Sequence, residues 1–291
     1  MPSSVFPPLP TNNGASPSTT STTPREGSPA SAAPAALEAW SPVGGGRRTP
    51  LDRSTMLVSV LVPVYNEAAT VEAAVERVRA VARAEGLRVE VLCVDDASTD
   101  GSAAALARLL ADGRVDRVLR HERNRGKGAA VRAALAASRG DVVLVQDADL
   151  EYDPADWPAL LAPITAGLAD AVFGSRFLGG PHRVLYYWHS VGNRVLTTLS
   201  NMLTNLNLTD METGTKAVRG DLARAVLLPK LTADRFGFEP ELTARLAQAK
   251  ARVYEVPVSY AGRTYAEGKK IGWTDGVAAL RHILAYNLVK K

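Results

Sequence analysis

Asp147, Asp149 and Glu151 put three carboxylates into five residues, directly after the apolar run Val142-Val143-Leu144-Val145. Four consecutive aliphatic residues bounded by breakers predict a short buried strand. Side chains at alternate positions of an extended chain point the same way, so the three acids are expected on one side of the strand's end. Carboxylates so placed repel unless a cation lies among them. A hard divalent ion, Mg²⁺ or Mn²⁺, suits oxygen donors and accepts phosphate oxygens into the same shell. Taken alone, the stretch also reads as an acidic loop with Asp153-Pro154 opening the next helix.

Three further stretches carry groups that suit a nucleotide. Pro63-Val64-Tyr65-Asn66-Glu67 ends another apolar run. Tyr65 offers a ring on which a flat base can stack, and Glu67 a carboxylate for a ring N–H or a ribose hydroxyl. The same residues also make an ordinary turn and helix cap. Asp95 and Asp96 close a third run; buried carboxylates are costly without donors, and uracil or guanine N–H groups would serve. Ser98 or Thr99 can equally cap the helix that follows. Asn124-Arg125-Gly126-Lys127-Gly128 sets an arginine and a lysine at a helix start, where a diphosphate or base is well received. It lacks the third glycine and preceding strand of a dinucleotide fingerprint, and its spacing is not that of a P-loop.

These groups need a scaffold, and the hydropathy pattern supplies one. Strands are expected at 57–62, 89–94, 115–119, 142–145, 171–174 and 253–258. Helices are expected at 67–84, 101–110, 127–138, after Pro154, at 185–206 and at 274–288. The alternation predicts parallel strands with helices on both faces, and such sheets hold ligands at the carboxyl ends of their strands. Each nucleotide motif falls at one of those ends. Residues 1–54 are rich in Pro, Ser, Thr, Gly and Ala and lack aliphatic periodicity, which predicts a disordered tail. Residues 55–291 then form a single domain, 55–150 its nucleotide-binding half and 151–291 its acceptor-binding half.

Composition narrows the class. Net charge is only +4, too weak to argue for nucleic acid. The single cysteine, Cys93, excludes a disulfide framework within one chain and fits a reducing compartment. No apolar run reaches the length of about 18 residues that a transmembrane helix needs, and the N-terminus lacks the basic-then-apolar order of a secretory signal.

Together, Pro63–Glu67, Asp95–Gly101, Asn124–Gly128 and Gln146–Glu151, in that order, resemble the family 2 glycosyltransferases of the GT-A fold. The resemblance runs from about Leu57 to the C-terminus. It implies an α/β fold, GT-A (nucleotide-diphospho-sugar transferase), with a mostly parallel central sheet flanked by helices. It places Pro63, Tyr65, Glu67, Asp96, Lys127 and Ala148 around the nucleotide and Asp147 at the ribose or diphosphate. Asp149 would hold the metal, with Glu151 as second ligand.

The second half resembles the dolichyl- and polyprenyl-phosphate hexose synthases in particular. Phe173-Gly174-Ser175-Arg176-Phe177 looks like their acceptor-phosphate segment, with Arg176 as the gripping group; an arginine fork matches a phosphate well. Arg263-Thr264-Tyr265-Ala266-Glu267-Gly268-Lys269-Lys270 looks like their phosphate-covering loop, with Arg263 and Lys269 as contacts and Lys270 in reserve; alone it reads as a solvated basic loop. Asp210–Lys216 is similar to a segment in which the family usually has an aromatic where Thr215 stands. Phe238–Leu242 matches a helix that carries a general base, Glu239 or Glu241, in relatives acting on hydroxyl acceptors; a phosphate acceptor is already a nucleophile and needs none. Residues 185–206 read as an amphipathic helix. Its face of Val191, Val195, Leu199, Met202 and Leu206 is either core-facing or, given Tyr186-Tyr187-Trp188, lipid-facing.

The expectation is an inverting, metal-dependent transfer of a hexose, mannose or glucose, from a nucleoside diphosphate sugar such as GDP-mannose to a polyprenyl or dolichyl phosphate. The cofactor would be Mg²⁺ or Mn²⁺. The chain would be cytoplasmic, or peripheral at the cytoplasmic face of a membrane, since relatives with membrane anchors continue beyond its last residue. The rivals are a hydroxyl-acceptor enzyme using Glu239 or Glu241, a nucleotidyltransferase, and an inactive nucleotide-sugar binding module.

Overall fold

The computed structural model describes residues 48–179, 182–184, 186–264 and 273–289. In chain order they form β1 (Leu57–Val64), α1 (Val71–Ala84), β2 (Arg88–Asp95), α2 (Ser102–Ala111), β3 (Arg117–Arg120), α3 (Lys127–Ala137) and β4 (Val142–Val145). There follow α4 (Trp157–Thr165), β5 (Ala171–Ser175), α5 (Tyr187–Thr204), β6 (Lys216–Arg219), α6 (Phe238–Gln248), β7 (Val253–Pro257) and α7 (Trp273–Leu284). The strands make one seven-stranded sheet in the order β3-β2-β1-β4-β6-β5-β7. β6 alone runs against its neighbours, β4 and β5; the other pairings are parallel. The expected alternation therefore holds except at β6, whose Lys-Ala-Val-Arg sequence is too short and too charged to announce a strand.

Alternating side chains divide the core between the two faces of the sheet. Val58, Val60, Val62 and Val64 of β1 pack with Val71, Val75 and Val78 of α1 and with Trp157 and Leu160 of α4. On the other face, Leu61, Val143 and Phe173 pack with Val131 of α3 and with Phe238 and Leu242 of α6. The body begins before the expected boundary. Arg48 N–H donates to Gly167 O at 3.1 Å and its Nε lies 2.9 Å from Asp170, while Leu51 N–H donates to Thr165 O.

α5 splits the face singled out in the sequence: Leu199 and Leu206 pack on the core, and Val195 and Met202 do not. Leu196, Leu199 and Leu203 pack on the core and Thr197 and Ser200 are buried, whereas Val195 and Met202 face out at 60% and 76% exposure. Its side chains beyond Tyr186 leave Tyr187 and Trp188 exposed as well. No helix among the described residues is long and apolar enough to cross a membrane.

Candidate active site

The acidic triplet is gathered by a turn, not by strand alternation as expected. β4 ends at Val145, and the chain then folds back with Leu150 in the left-handed region at φ +65°, which costs a branched side chain about 1–2 kcal/mol. The turn is braced from below. Trp157 Nε1–H donates to Gln146 Oε1 at 3.1 Å, and the Gln146 amide donates to Tyr152 O at 3.2 Å. Glu151 N–H donates to Asp149 Oδ1 at 3.1 Å. Burial, then the nearby Asp147 and Glu151, push the Asp149 carboxyl up to about 7.

Next to this turn, the ends of β1 and β2 are locked together. Asp96 N–H donates to Val64 O at 2.8 Å, Asn66 N–H to Ser98 Oγ at 3.0 Å, and Thr99 N–H to Asn66 Oδ1 at 2.8 Å. Tyr65, at 38% exposure, and Glu67 are thereby held over the strand ends. Asp96 braces the neighbouring loop. Its carboxylate accepts from Arg125 N–H at 2.9 Å and Gly126 N–H at 2.6 Å and lies 2.6 Å from His121 Nδ1. It shapes the loop that starts α3, and protein donors occupy its oxygens. Gly126 is required there, because its φ is +99° and a Cβ would strike Arg235 and Asp234. A cleft of about 900 Å³ opens outside this loop, lined in part by Arg120, Arg123, Arg125, Arg235 and His282. Tyr65, Lys127 and Asp147 are not among its walls.

Antiparallel β6 brings its approach segment, Glu212 to Lys216, to the edge where the parallel strands end, with Lys216 opposite Val145. Gly214 N–H donates to Tyr152 Oη at 2.9 Å, and its α-carbon lies against Asp147. Lys127, the first residue of α3, bridges Asp147 at 2.9 Å and Glu239 at 3.2 Å. Burial works against its charge, yet those two carboxylates hold its ammonium well above the usual range. Deeper in, burial pushes Glu212 up to about 8 and Lys216 down to about 8, with Glu239 acting on both. Thr215 is buried and donates to Val145 O at 3.4 Å, so it serves the fold where the family pattern has an aromatic.

Two of the expected acceptor cations, Arg176 and Arg263, have carboxylate partners. Arg176 forks onto Asp210, Nε to Oδ2 at 2.6 Å and Nη2 to Oδ1 at 2.7 Å, and Nη2 also donates to Asn193 at 3.3 Å. Its Nη1 makes no hydrogen bond among the described residues, and the guanidinium lies 5.1 Å from the centre of the Tyr260 ring. Arg263 lies among the acids: Nη2 to Asp149 at 3.0 Å, Nε to Glu151 at 3.4 Å and Nη1 to Glu67 at 3.4 Å. Lys269 and Lys270 fall outside the described residues. Glu241 is fully buried and accepts from Thr232 N–H at 2.8 Å, Thr232 Oγ1 at 3.0 Å and Ala233 N–H at 2.6 Å. It pins the 232–233 loop. Glu239 is tied to Lys127.

Sequence reasoning missed Asp210 as the partner of Arg176, and Tyr260, whose hydroxyl donates to Glu151 Oε2 at 2.9 Å. Neither pairing has a local signal, since each joins residues far apart in the chain. Glu212 and Lys216 lay inside a recognised segment but carried no assigned part.

The donor set fits a hard divalent cation in kind. Asp149 and Glu151 would supply oxygen ligands, and a positive group, the Arg263 guanidinium, lies between them and Glu67. Three carboxylates around one guanidinium leave a formal charge of −2. No three such side chains among the described residues converge on a single ion position; an ion held by Asp149 and Glu151 would take its other ligands from phosphate oxygens and water, as Mg²⁺ commonly does.

Residues 59–227, more than half of the chain, match the family described as Glycosyl transferase family 2. The undecaprenyl-phosphate mannosyltransferase of Micrococcus luteus is 32% identical over 232 residues, covering 77% of this chain and 92% of that protein. The polyprenol monophosphomannose synthase of Mycolicibacterium smegmatis is 31% identical over 234 residues, covering 79% and 86%. Among solved structures, glucosyl-3-phosphoglycerate synthase from Mycobacterium tuberculosis, in complex with Mn²⁺, uridine diphosphate and its product, superposes with a TM-score of 0.61 at 21% identity, over 81% of each chain. That likeness confirms the GT-A fold. The chain belongs to glycosyl transferase family 2 and is a glycosyltransferase.

Proposed function

We propose that the enzyme transfers a hexose, with inversion, from a nucleoside diphosphate sugar to a polyprenyl phosphate. The two relatives above, both named for sugar transfer to or from such lipids and matched over most of their length, support the acceptor class. The observation that carries the reading is the state of the two acids on α6. Glu241 is spent on the 232–233 loop and Glu239 on Lys127. A hydroxyl acceptor would need a base, whereas a phosphate oxygen attacks without one.

In this reading Tyr65 stacks on the base, and Lys127, at the positive end of α3, faces the diphosphate. Glu67 orients the ribose. Asp149 and Glu151 hold the divalent cation, which, when bound, would neutralise the leaving diphosphate as a Lewis acid. Arg176, steadied by Asp210, presents Nη1 to the acceptor phosphate, and Arg263 and Lys269 join it. The phosphate is thereby aligned for attack on the anomeric carbon from the face opposite the leaving group.

The outer faces of α5 and α7 suit peripheral contact with lipid at the cytoplasmic face of a membrane. Trp188, Met202, Val277 and Leu280 are exposed at 77%, 76%, 58% and 40%, and α5 holds no acidic residue. Glu239→Gln tests the acceptor class. Transfer to citronellyl phosphate should stay within about tenfold of wild type, because Asp147 keeps Lys127 paired and the amide of the variant still accepts a neutral hydrogen bond. A loss of about 10²–10⁴-fold, as for a removed general base, would point to a hydroxyl acceptor.

A further inference from the structure

Arg176 and Arg263 are both expected at the acceptor phosphate, yet they are held in very different ways. Arg176 is fixed at two points, at 2.6 and 2.7 Å, on the fully buried Asp210. The Arg263 guanidinium divides itself among three carboxylates, meeting Asp149 at 3.0 Å, Glu151 at 3.4 Å and Glu67 at two points, 3.4 and 3.5 Å. Longer, divided contacts are the ones a stronger cation can displace. Two of the three acids, Asp149 and Glu151, are the residues read as ligands of the divalent ion. One guanidinium leaves two of the three negative charges uncompensated, which a doubly charged ion would match.

The backbone of Arg263 is anchored independently of its side chain. Ala261 N–H donates to the backbone O of Glu151 at 2.9 Å, clear of the carboxylates, and Arg263 N–H adds a 2.9 Å bond to Glu151 Oε1. The flexible stem can therefore swing while its root stays in place. Tyr260 joins the two arginines' surroundings: its hydroxyl bonds Glu151, and the Arg176 guanidinium lies over its ring.

We propose that Arg263 is a displaceable counter-ion that serves two ligands in turn. It neutralises Glu67, Asp149 and Glu151 until a divalent cation takes the last two, and the displaced guanidinium then binds the acceptor phosphate. One side chain so imposes an order in which cation and donor bind before acceptor. Acceptor and cation affinities become coupled, and by linkage the coupling is reciprocal. The inference rests on the reading of Asp149 and Glu151 as cation ligands and of the acceptor as a phosphate.

Titration of Mn²⁺ into the full chain without nucleotide, followed by the electron paramagnetic resonance of the unbound ion, tests this without any turnover. Arg263→Ala and Arg263→Gln, checked for folding by circular dichroism, should bind Mn²⁺ about ten- to a hundred-fold tighter than wild type, the range a charge-assisted contact spans. In wild type, citronellyl phosphate should bind at least about tenfold tighter when Mn²⁺ and GDP are saturating. Both variants should lose that dependence. Mn²⁺ affinity equal to or weaker than wild type in a folded variant would overturn the inference and make Arg263 a support of the cation site. Should both variants fail to fold, an acceptor affinity in wild type that ignores Mn²⁺ would overturn it. Absence of Mn²⁺ binding in wild type and variants alike would overturn the cation reading itself, a separate result.

Discussion

Arg176 and Asp210 pair at two points, Nε to Oδ2 at 2.6 Å and Nη2 to Oδ1 at 2.7 Å, and so tie the end of β5 to the segment that enters β6. Asp210 has no exposed surface. Removing one member of such a pair leaves a buried charge uncompensated, which costs about 3–5 kcal/mol. Asp210→Ala should lower the urea midpoint accordingly and loosen the acceptor side of the site. An unchanged midpoint would show that the pair does not hold β5 to β6.

Gly214 is where the approach to β6 meets the acidic turn. An added Cβ would collide with Asp147 Oδ2 and come within 2.9 Å of the Tyr152 ring and 3.4 Å of Lys127 Nζ. Gly214→Ala should therefore fold but displace Asp147 and Lys127, lowering kcat/KM by about a hundredfold, as misplacement near the reacting centre does. Calorimetry with GDP and UDP would show weaker nucleotide binding alongside it. Wild-type kinetics and nucleotide affinity would place the diphosphate elsewhere.

Glu212 gives the fold a pH dependence. Its folded-state value is raised by burial and by Glu239 to about 8, from an ordinary 4.5. The folded protein therefore binds this proton more tightly than the unfolded chain does. The resulting stability is fully present below pH 4.5 and is lost as pH rises to about 8. Lys216, lowered by burial to about 8 from 10.5, contributes in the opposite sense, with stability falling as pH drops from about 10.5 to 8. Melting temperatures of Glu212→Gln and wild type should diverge between pH 5 and pH 8, the variant becoming relatively more stable. Parallel curves over that range would mean Glu212 titrates normally.

The strands with aliphatic runs were legible because burial on both faces leaves no other composition open to them: Val58–Val62, Leu92–Val94 and Val142–Val145 are all buried. β6 was not, since it opens on Lys216, whose buried amine donates to Thr213 O and lies over the Phe173 ring, and only Ala217 and Val218 read as apolar. The acids of the site were legible as a cluster, but not their geometry. Leu150 in a left-handed conformation has no signature in a leucine, and it is this turn that groups them. The ion pairs were least legible of all. Lys127 with Glu239, Arg176 with Asp210, and Arg263 with Glu67 each join residues that only the assembled sheet brings together. Glu241 shows the converse: a helix position that suits a base by motif is consumed by a loop that the motif does not include.

Asp149→Asn should preserve the fold, being nearly isosteric, and remove one charge from the cation ligands. Turnover with Mg²⁺ or Mn²⁺ should then fall by about two orders of magnitude or more, as losing about 3 kcal/mol of charge stabilisation implies. Full activity of this variant in metal-stripped, Mg²⁺-restored protein would remove Asp149 from the cation site.

The central claim, sugar transfer to a lipid phosphate, is tested most directly by following the label. Purified enzyme with Mn²⁺, a short-chain polyprenyl phosphate and, in parallel, radiolabelled GDP-mannose, UDP-glucose or UDP-N-acetylglucosamine would be extracted with organic solvent. Label entering the organic phase with mannose or glucose as donor sugar, and abolished by EDTA, is the predicted result, and it identifies the sugar at the same time. Label that stays in water with every donor, while a soluble hydroxyl acceptor takes it up, would contradict the account.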